Sequence, residues 1–146
     1  MKKIVVVLLF VLYVLDIHAQ YNCIVVSGNN ETVTYRVTGY GRNVKKAIND
    51  AELSAVKALC FYGAAGTSYS SPLISIGQSN AEIEHCKFFA EFYETTYKNF
   101  VETSSVVVPF NKDTEKRKCI TLEICIRALQ LRTYFEKSGI IRKFGL

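Results

Sequence analysis

Lys116-Arg117-Lys118-Cys119-Ile120-Thr121-Leu122-Glu123-Ile124-Cys125-Ile126-Arg127 alternates from residue to residue. Ile120, Leu122, Ile124 and Ile126 share one side, and Cys119, Thr121, Glu123, Cys125 and Arg127 share the other. A period of two with one dry side and one wet side is the pattern of a half-buried β-strand. Upstream, Ser104–Phe110 is a second strand, weakened at its end by Pro109, and Asn111–Glu115 is the turn that makes the two a hairpin. Thr32–Gly39 repeats the alternation, with Val33, Tyr35 and Val37 inward and Thr32, Thr34, Arg36 and Thr38 outward. Cys23–Ser27 is a shorter β-prone run, followed by a Gly28-Asn29-Asn30 turn. One-sided strands on short connections predict a mainly antiparallel sheet that needs a covering layer.

The intervening segments supply that layer. Asn43 is placed to cap a helix in which Val44, Ala47, Ile48, Ala51, Ala55, Ala58 and Leu59 recur at helical spacing. Leu53, Val56 and Cys60 widen its apolar stripe, the alanines allow close approach to a sheet, and Gly63 stops it. Ser79 and Glu82 match a capping box for a second helix. Its stripe is Ile83, Cys86, Ala90, Tyr93, Tyr97 and Phe100, with Phe88, Phe89 and Phe92 alongside. Leu129–Lys137 is a short third helix, with Leu131, Tyr134 and Phe135 inward and Gly139 at its end. The fold class expected is therefore α+β, a two-layer sandwich of a mainly antiparallel sheet with helices packed on one face.

The first residues carry an address. Lys2 and Lys3 precede an uncharged apolar run from Ile4 to Leu15, and Asp16-Ile17-His18-Ala19 follows. This is the layout of a secretory signal peptide, and the run is short for a membrane span of roughly 20 residues. Cleavage is expected after Ala19, giving a signal peptide at 1–19 and a single α+β domain at 20–146; the alternative is an uncleaved anchor. The expected location is periplasmic or extracellular. Gln20-Tyr21-Asn22 before Cys23 does not make a lipobox, so no lipid attachment is expected there.

The net charge of +5 is mildly basic and suits a partner or membrane surface carrying negative charge, with peripheral membrane association open. Arginines and aromatics are not grouped on one element, so nucleic acid is not expected as a partner. Five cysteines, Cys23, Cys60, Cys86, Cys119 and Cys125, are an odd number at wide spacings. Most read as buried small apolar residues. Cys119 and Cys125 lie roughly 20 Å apart along one strand and cannot bridge. Cys23 is the expected participant if a disulfide forms.

The chemistry-bearing residues are sparse. His85 is the one histidine beyond residue 19. On a continuous helix it points about 100° away from Cys86, which lies on the stripe, so no dyad is expected. There is no Cys-x-x-Cys for zinc. Gly63–Gly66 lacks the lysine of a phosphate loop, and Gly39-Tyr40-Gly41 lacks the third glycine of a dinucleotide fingerprint. Glu91 and Glu94 fall on the polar side of their helix. No catalytic residue, cofactor or metal is assigned, and the chain is read as not an enzyme.

Val37-Thr38-Gly39-Tyr40-Gly41, running into Lys46-Ala47-Ile48-Asn49-Asp50-Ala51, and the later Leu131-Arg132-Thr133-Tyr134-Phe135-Glu136 before Gly139-Ile140 form a recognisable arrangement. It resembles the small bacterial envelope α/β domains of the LPP20 lipoprotein and flagellar FlgT N-terminal type. The resemblance covers residues 33–60 and, more loosely, 116–141. It implies a non-enzymatic envelope scaffold or accessory role and carries over no active-site residue. The missing lipobox, the long middle loop and the aromatic helix depart from that pattern.

The functional expectation is an exported interaction module of the bacterial cell envelope with an envelope protein as partner. Its contact residues are Leu73, Ile74 and Ile76 in the glycine- and serine-rich 64–78 loop, and Thr34, Arg36 and Thr38 on the wet strand side. The alternative is a binder of a small lipid or sugar, lined by Phe88 and Phe92 on the aromatic helix with the same loop as its lid.

Overall fold

A computed structural model describes residues 22–143; the expected signal peptide lies outside the described residues. The sheet has four antiparallel strands, β1 (Cys23–Gly28), β2 (Val33–Tyr40), β3 (Val101–Lys112) and β4 (Lys118–Ile126), in the order β1-β2-β4-β3. The α+β sandwich is thus present. Val37 stands opposite Cys23 and Leu122, and Tyr35 opposite Val25 and Ile124, so the alternating apolar residues of neighbouring strands form continuous inward rows. Val33, Tyr35, Val37, Leu122, Ile124 and Ile126 are all buried.

Helix α1 (Val44–Phe61) lies across the central strands. Asn43 Oδ1 accepts from Lys46 N at 2.9 Å, the expected cap. Ala47, Ala51 and Ala55 are buried, and their small side chains bring the helix onto Gly39. A methyl group at Gly39 would overlap Ala47 O and lie 2.6 Å from Ala51 N. The Gly-x-Gly step at the end of β2 therefore serves packing between layers. At the far end Gly63, with φ +76°, donates to Ala58 O and turns the chain out of the helix.

The long aromatic helix of the sequence reading is corrected. The chain instead forms α2 (Gln78–Glu84), α3 (Cys86–Glu94) and a 3₁₀ segment at Thr96–Phe100, with non-helical dihedrals at His85 and Thr95. Gly77, not Ser79, occupies the N-cap of α2, and no side chain caps it. The break at His85 resets the helical phase. Ile83 is 77% exposed, Cys86 and Ala90 are exposed, and Phe89 and Phe92 turn inward instead. The exchange favours the larger rings, since an aromatic side chain buries about 150–250 Å². Phe92 packs on Phe135 with ring centroids 5.3 Å apart, and Phe88 stacks on Phe92 and Tyr134 at 5.8 Å each. Helix α4 (Ala128–Lys137) supplies Leu131 and Phe135 to the same core.

The hairpin forms with its turn displaced by two residues. β3 continues to Lys112, and Asp113 Oδ1 accepts from Glu115 N and Arg117 N at 2.9 Å each. Pro109 is tolerated inside β3 because that strand is an edge, and because the ladder is irregular between Val108 and Asn111. All five cysteines are free. Cys60 and Cys119 are buried, Cys23 and Cys125 are half-buried and Cys86 is exposed, so fewer of the thiols are buried than expected. Cys23, the expected disulfide partner, instead donates through Sγ to Ser54 O at 3.7 Å. Among the described residues, no helix is long and apolar enough to cross a membrane.

Candidate functional site

The loop at 62–77 connects α1 to α2 and is fastened at several points. Tyr35, rising from the core of β2, donates its hydroxyl to Gly63 O at 2.9 Å. Ala64 N donates to Tyr69 O at 2.6 Å, closing a small turn. Tyr69 is buried, and its hydroxyl donates to Asn30 O at 2.7 Å in the β1–β2 turn. Ser68 Oγ adds a 2.6 Å bond to Asn30 Oδ1. Ile74 N returns to Cys60 O at 2.9 Å, and the Ile74 side chain is 2% exposed. Buried apolar anchors and satisfied backbone groups make this segment part of the packed body.

The three expected contact residues of the loop therefore separate. Ile74 belongs to the core and is corrected as a surface contact. Leu73 is half-buried, and Ile76 is 45% exposed. Burial of Ile74 follows from the return of the chain along the C-terminal end of α1, where Leu73 N and Ile74 N donate to Leu59 O and Cys60 O.

The loop forms one wall of an open cleft of about 910 Å³. Residues 68–76 meet Glu84 and His85 at the α2–α3 junction, Arg132 of α4, and the segment 139–142. Serine hydroxyls at positions 68, 70, 71 and 75 supply donors and acceptors. Arg132 pairs with Glu136 at 3.1 Å, a partner one helical turn away that holds the guanidinium on the cleft side of α4. Arg142 contributes a second cation, and Glu84 the one acid. The site is thus polar along the loop, apolar at Leu73, Ile76 and Ile140, and close to charge-balanced, since Glu84 and the Glu136 that holds Arg132 offset the two arginines. Such a mixture accepts an acidic or hydroxyl-rich group through charge-assisted hydrogen bonds.

His85 Nε2 lies 3.8 Å from Glu84 Oε1, and Cys86 is next in the chain. All three border a second hollow of about 330 Å³ that Phe88 also lines. Phe92, the other expected ligand-lining ring, is 1% exposed and is corrected to a core residue. Among the described residues, no group of three or more His, Cys, Asp and Glu is placed to hold a metal ion.

Thr34, Arg36 and Thr38 stand on the sheet face opposite the helices, away from the cleft. Arg36 pairs with Glu123 across the β2–β4 ladder, with Nε at 3.2 Å from Oε1. The Thr38 and Thr121 hydroxyls are hydrogen-bonded at 2.9 Å. These cross-strand pairs satisfy one another within the sheet, so the face carries little unbalanced charge. The structure therefore does not join the two sets of expected contact residues into one surface.

Sequence reasoning missed Arg132, Ile140 and Arg142. The available signal was the Gly139 stop followed by Ile140-Ile141-Arg142, a short amphipathic continuation that returns over the loop. No family model, curated protein or solved structure matches this chain.

Proposed function

We propose that the protein is a non-enzymatic, exported interaction module of the bacterial cell envelope, with the cleft beside the serine-rich loop as its receptor surface. The observation that carries this reading is the pinned loop. A wall held by Tyr35, Asn30 and Cys60 presents serine hydroxyls opposite Arg132 and Arg142. Preformed concave surfaces with a few convergent polar groups are typical of binding sites. Arg142, exposed at the cleft, and the serine hydroxyls suit a polar, acidic segment of an envelope protein as the partner. The envelope setting rests on the signal-peptide pattern of residues 1–19 and on the resemblance at residues 33–60.

The lipid or sugar reading shifts ground, because Phe92 is in the core and only Phe88 borders a hollow. The interaction module is tested by a photo-crosslinking amino acid at Ser71 in the native host, with mass spectrometry of the captured species. A single stoichiometric envelope protein, lost in Arg142→Glu, is the expected result. A monomer with no captured protein, or capture unaffected by Arg142→Glu, overturns it.

A further inference from the structure

We infer that the end of the sandwich where β2 enters α1 and β3 turns into β4 is a membrane-facing surface, which holds the protein against anionic phospholipid headgroups. Gly41 N donates to Lys118 O at 3.1 Å, and the Arg117 guanidinium lies 4.5 Å from the centre of the Tyr40 ring. The start of α1 and the hairpin turn therefore form one end of the molecule. Arg42, Lys45 and Lys46 come from the first, and Lys112, Lys116, Arg117 and Lys118 from the second; all are exposed. Seven cations meet three acids here, a balance of +4, whereas the other described residues carry nine of each sign. The three acids are already engaged. Asp113 and Glu115 pair with Arg117, and Asp50 Oδ2 accepts from Tyr40 N at 2.8 Å. None of the other six cations has an ion-pair partner among the described residues.

Three lysines of this end sit where local structure favours something else. Lys46 is the third residue of α1 after its cap Asn43, where a glutamate would complete a capping box and meet the helix dipole. Lys116 holds φ +62°, a left-handed conformation that glycine or asparagine adopts at less cost. Lys112 stands opposite Lys118 in the β3–β4 ladder, and like charges so placed repel. Departures from local preference are expected at functional surfaces, and these share one sign and one place. Residue type selects the occupant. Clusters of about four to eight cations are the size that binds anionic lipid. Five of the six unpaired cations are lysines, compact charges that suit a diffuse field of headgroups better than bidentate readout of a phosphate. The Tyr40 ring is taken up by Arg117 rather than left as a platform for a base, which disfavours nucleic acid. Val44, 45% exposed beside Lys45, supplies an apolar contact for the headgroup layer. Thr38 N donates to Asn22 O at 3.2 Å, two residues before Tyr40, so the segment bearing the apolar run Ile4–Leu15 joins the domain at this same end. The inference does not use the cleft, and its failure leaves the reading of the cleft standing.

The test is flotation of the protein isolated from its native host with two kinds of vesicle, phosphatidylcholine alone and phosphatidylcholine with phosphatidylglycerol in equal parts, at low and high salt. Far-UV circular dichroism verifies folding and gives the melting temperature of each variant. The wild type is expected to bind the anionic vesicles at least about tenfold more tightly than the neutral ones, and to lose that margin at high salt. Lys45→Glu/Lys46→Glu should remove about tenfold or more of the binding while melting at a higher temperature, because acids then stand at the start of α1. Lys116→Gln/Lys118→Gln should weaken binding by a similar factor with the fold intact. Equal binding to both vesicles overturns the inference. So does binding that survives both pairs of substitutions, or that falls as far in Lys137→Gln/Lys143→Gln, which removes two cations elsewhere. Retention on single-stranded DNA without binding to the anionic vesicles also overturns it, and makes this end a site for nucleic acid.

Discussion

The Tyr93 hydroxyl donates to Glu82 Oε1 at 2.6 Å, joining α3 to α2 across the break at His85. Gln78 Nε2 donates to the same oxygen at 2.8 Å. Lys57 of α1 sits 4.0 Å above the Tyr93 ring and 3.9 Å from Glu82 Oε1. Three helices thus meet at one carboxylate. Burial and then the bond to Glu82 push the Tyr93 hydroxyl well above its ordinary pKa, so it is a donor at any physiological pH. Tyr93→Phe should lower stability by about 1.5–3 kcal/mol, read as a fall in the urea midpoint with an unchanged slope. An unchanged midpoint would mean that the bridge does not couple the two helices.

Gly39 is the contact point between the layers. Gly39→Ala should destabilise the fold by about 2–3 kcal/mol, because the added methyl overlaps the α1 backbone rather than a side chain that can move aside. Gly66→Ala meets no neighbouring atom and tests backbone conformation alone, since its φ is +81°. Thermal denaturation of the two variants separates the effects, with Gly39→Ala expected to be the worse.

The broken helix makes a paired prediction. Phe92→Ala should cost about 3–5 kcal/mol, since it empties the centre of the aromatic cluster. Ile83→Ala should change stability by no more than about 0.5 kcal/mol, because that side chain lies in solvent. A continuous helix with the stripe of the sequence reading would make both substitutions costly.

These two residues also show how far the sequence was legible. Strands β2 and β4 and helix α1 could be read because their periodicity is local and uninterrupted. A period of two defines one buried side, and an alanine stripe defines another. Between residues 78 and 100 several registers compete. Ile83, Cys86, Ala90 and Tyr93 satisfy helical spacing, as do Phe88, Phe89 and Phe92 in another phase. The winner depends on Phe61, Tyr134 and Phe135, which arrive from elsewhere in the chain. The cleft was half visible for the same reason. The loop announced itself by composition, but its opposing arginines come from the far C-terminal segment.

Alkaline pH should unfold the protein progressively. Burial, helped by the nearby Asp50 carboxylate, raises the Cys23 thiol from 9.0 to about 11. Burial also raises the Tyr97 hydroxyl to about 12, with Glu52 and Asp50 adding to it. Both groups are neutral when protonated, so the folded state keeps protons that the unfolded chain releases. The stabilisation is complete below about pH 9 and is lost as pH rises toward 11, by up to about 1.4 kcal/mol per pH unit for Cys23. Urea midpoints at increasing pH should show this slope, and Cys23→Ala should flatten it.

Thiol labelling should follow accessibility. Cys86 is exposed and should react with iodoacetamide first, and Cys60, fully buried with its pKa pushed far upward, should react only through unfolding. Peptide mass spectrometry over a time course gives the order directly, and early labelling of Cys60 would contradict its place in the core.

The fastenings of the 62–77 loop have a thermodynamic consequence for whatever the cleft receives. A partner that meets a mobile loop must immobilise it, and each residue so ordered costs roughly 1–2 kcal/mol of conformational entropy. Here folding has already ordered much of that wall, through Tyr35, Tyr69 and Ile74. Association at this surface should therefore carry a small entropic penalty on the protein's side, and its calorimetric signature should come mostly from desolvation of the serines and arginines and from whatever order the partner itself gives up.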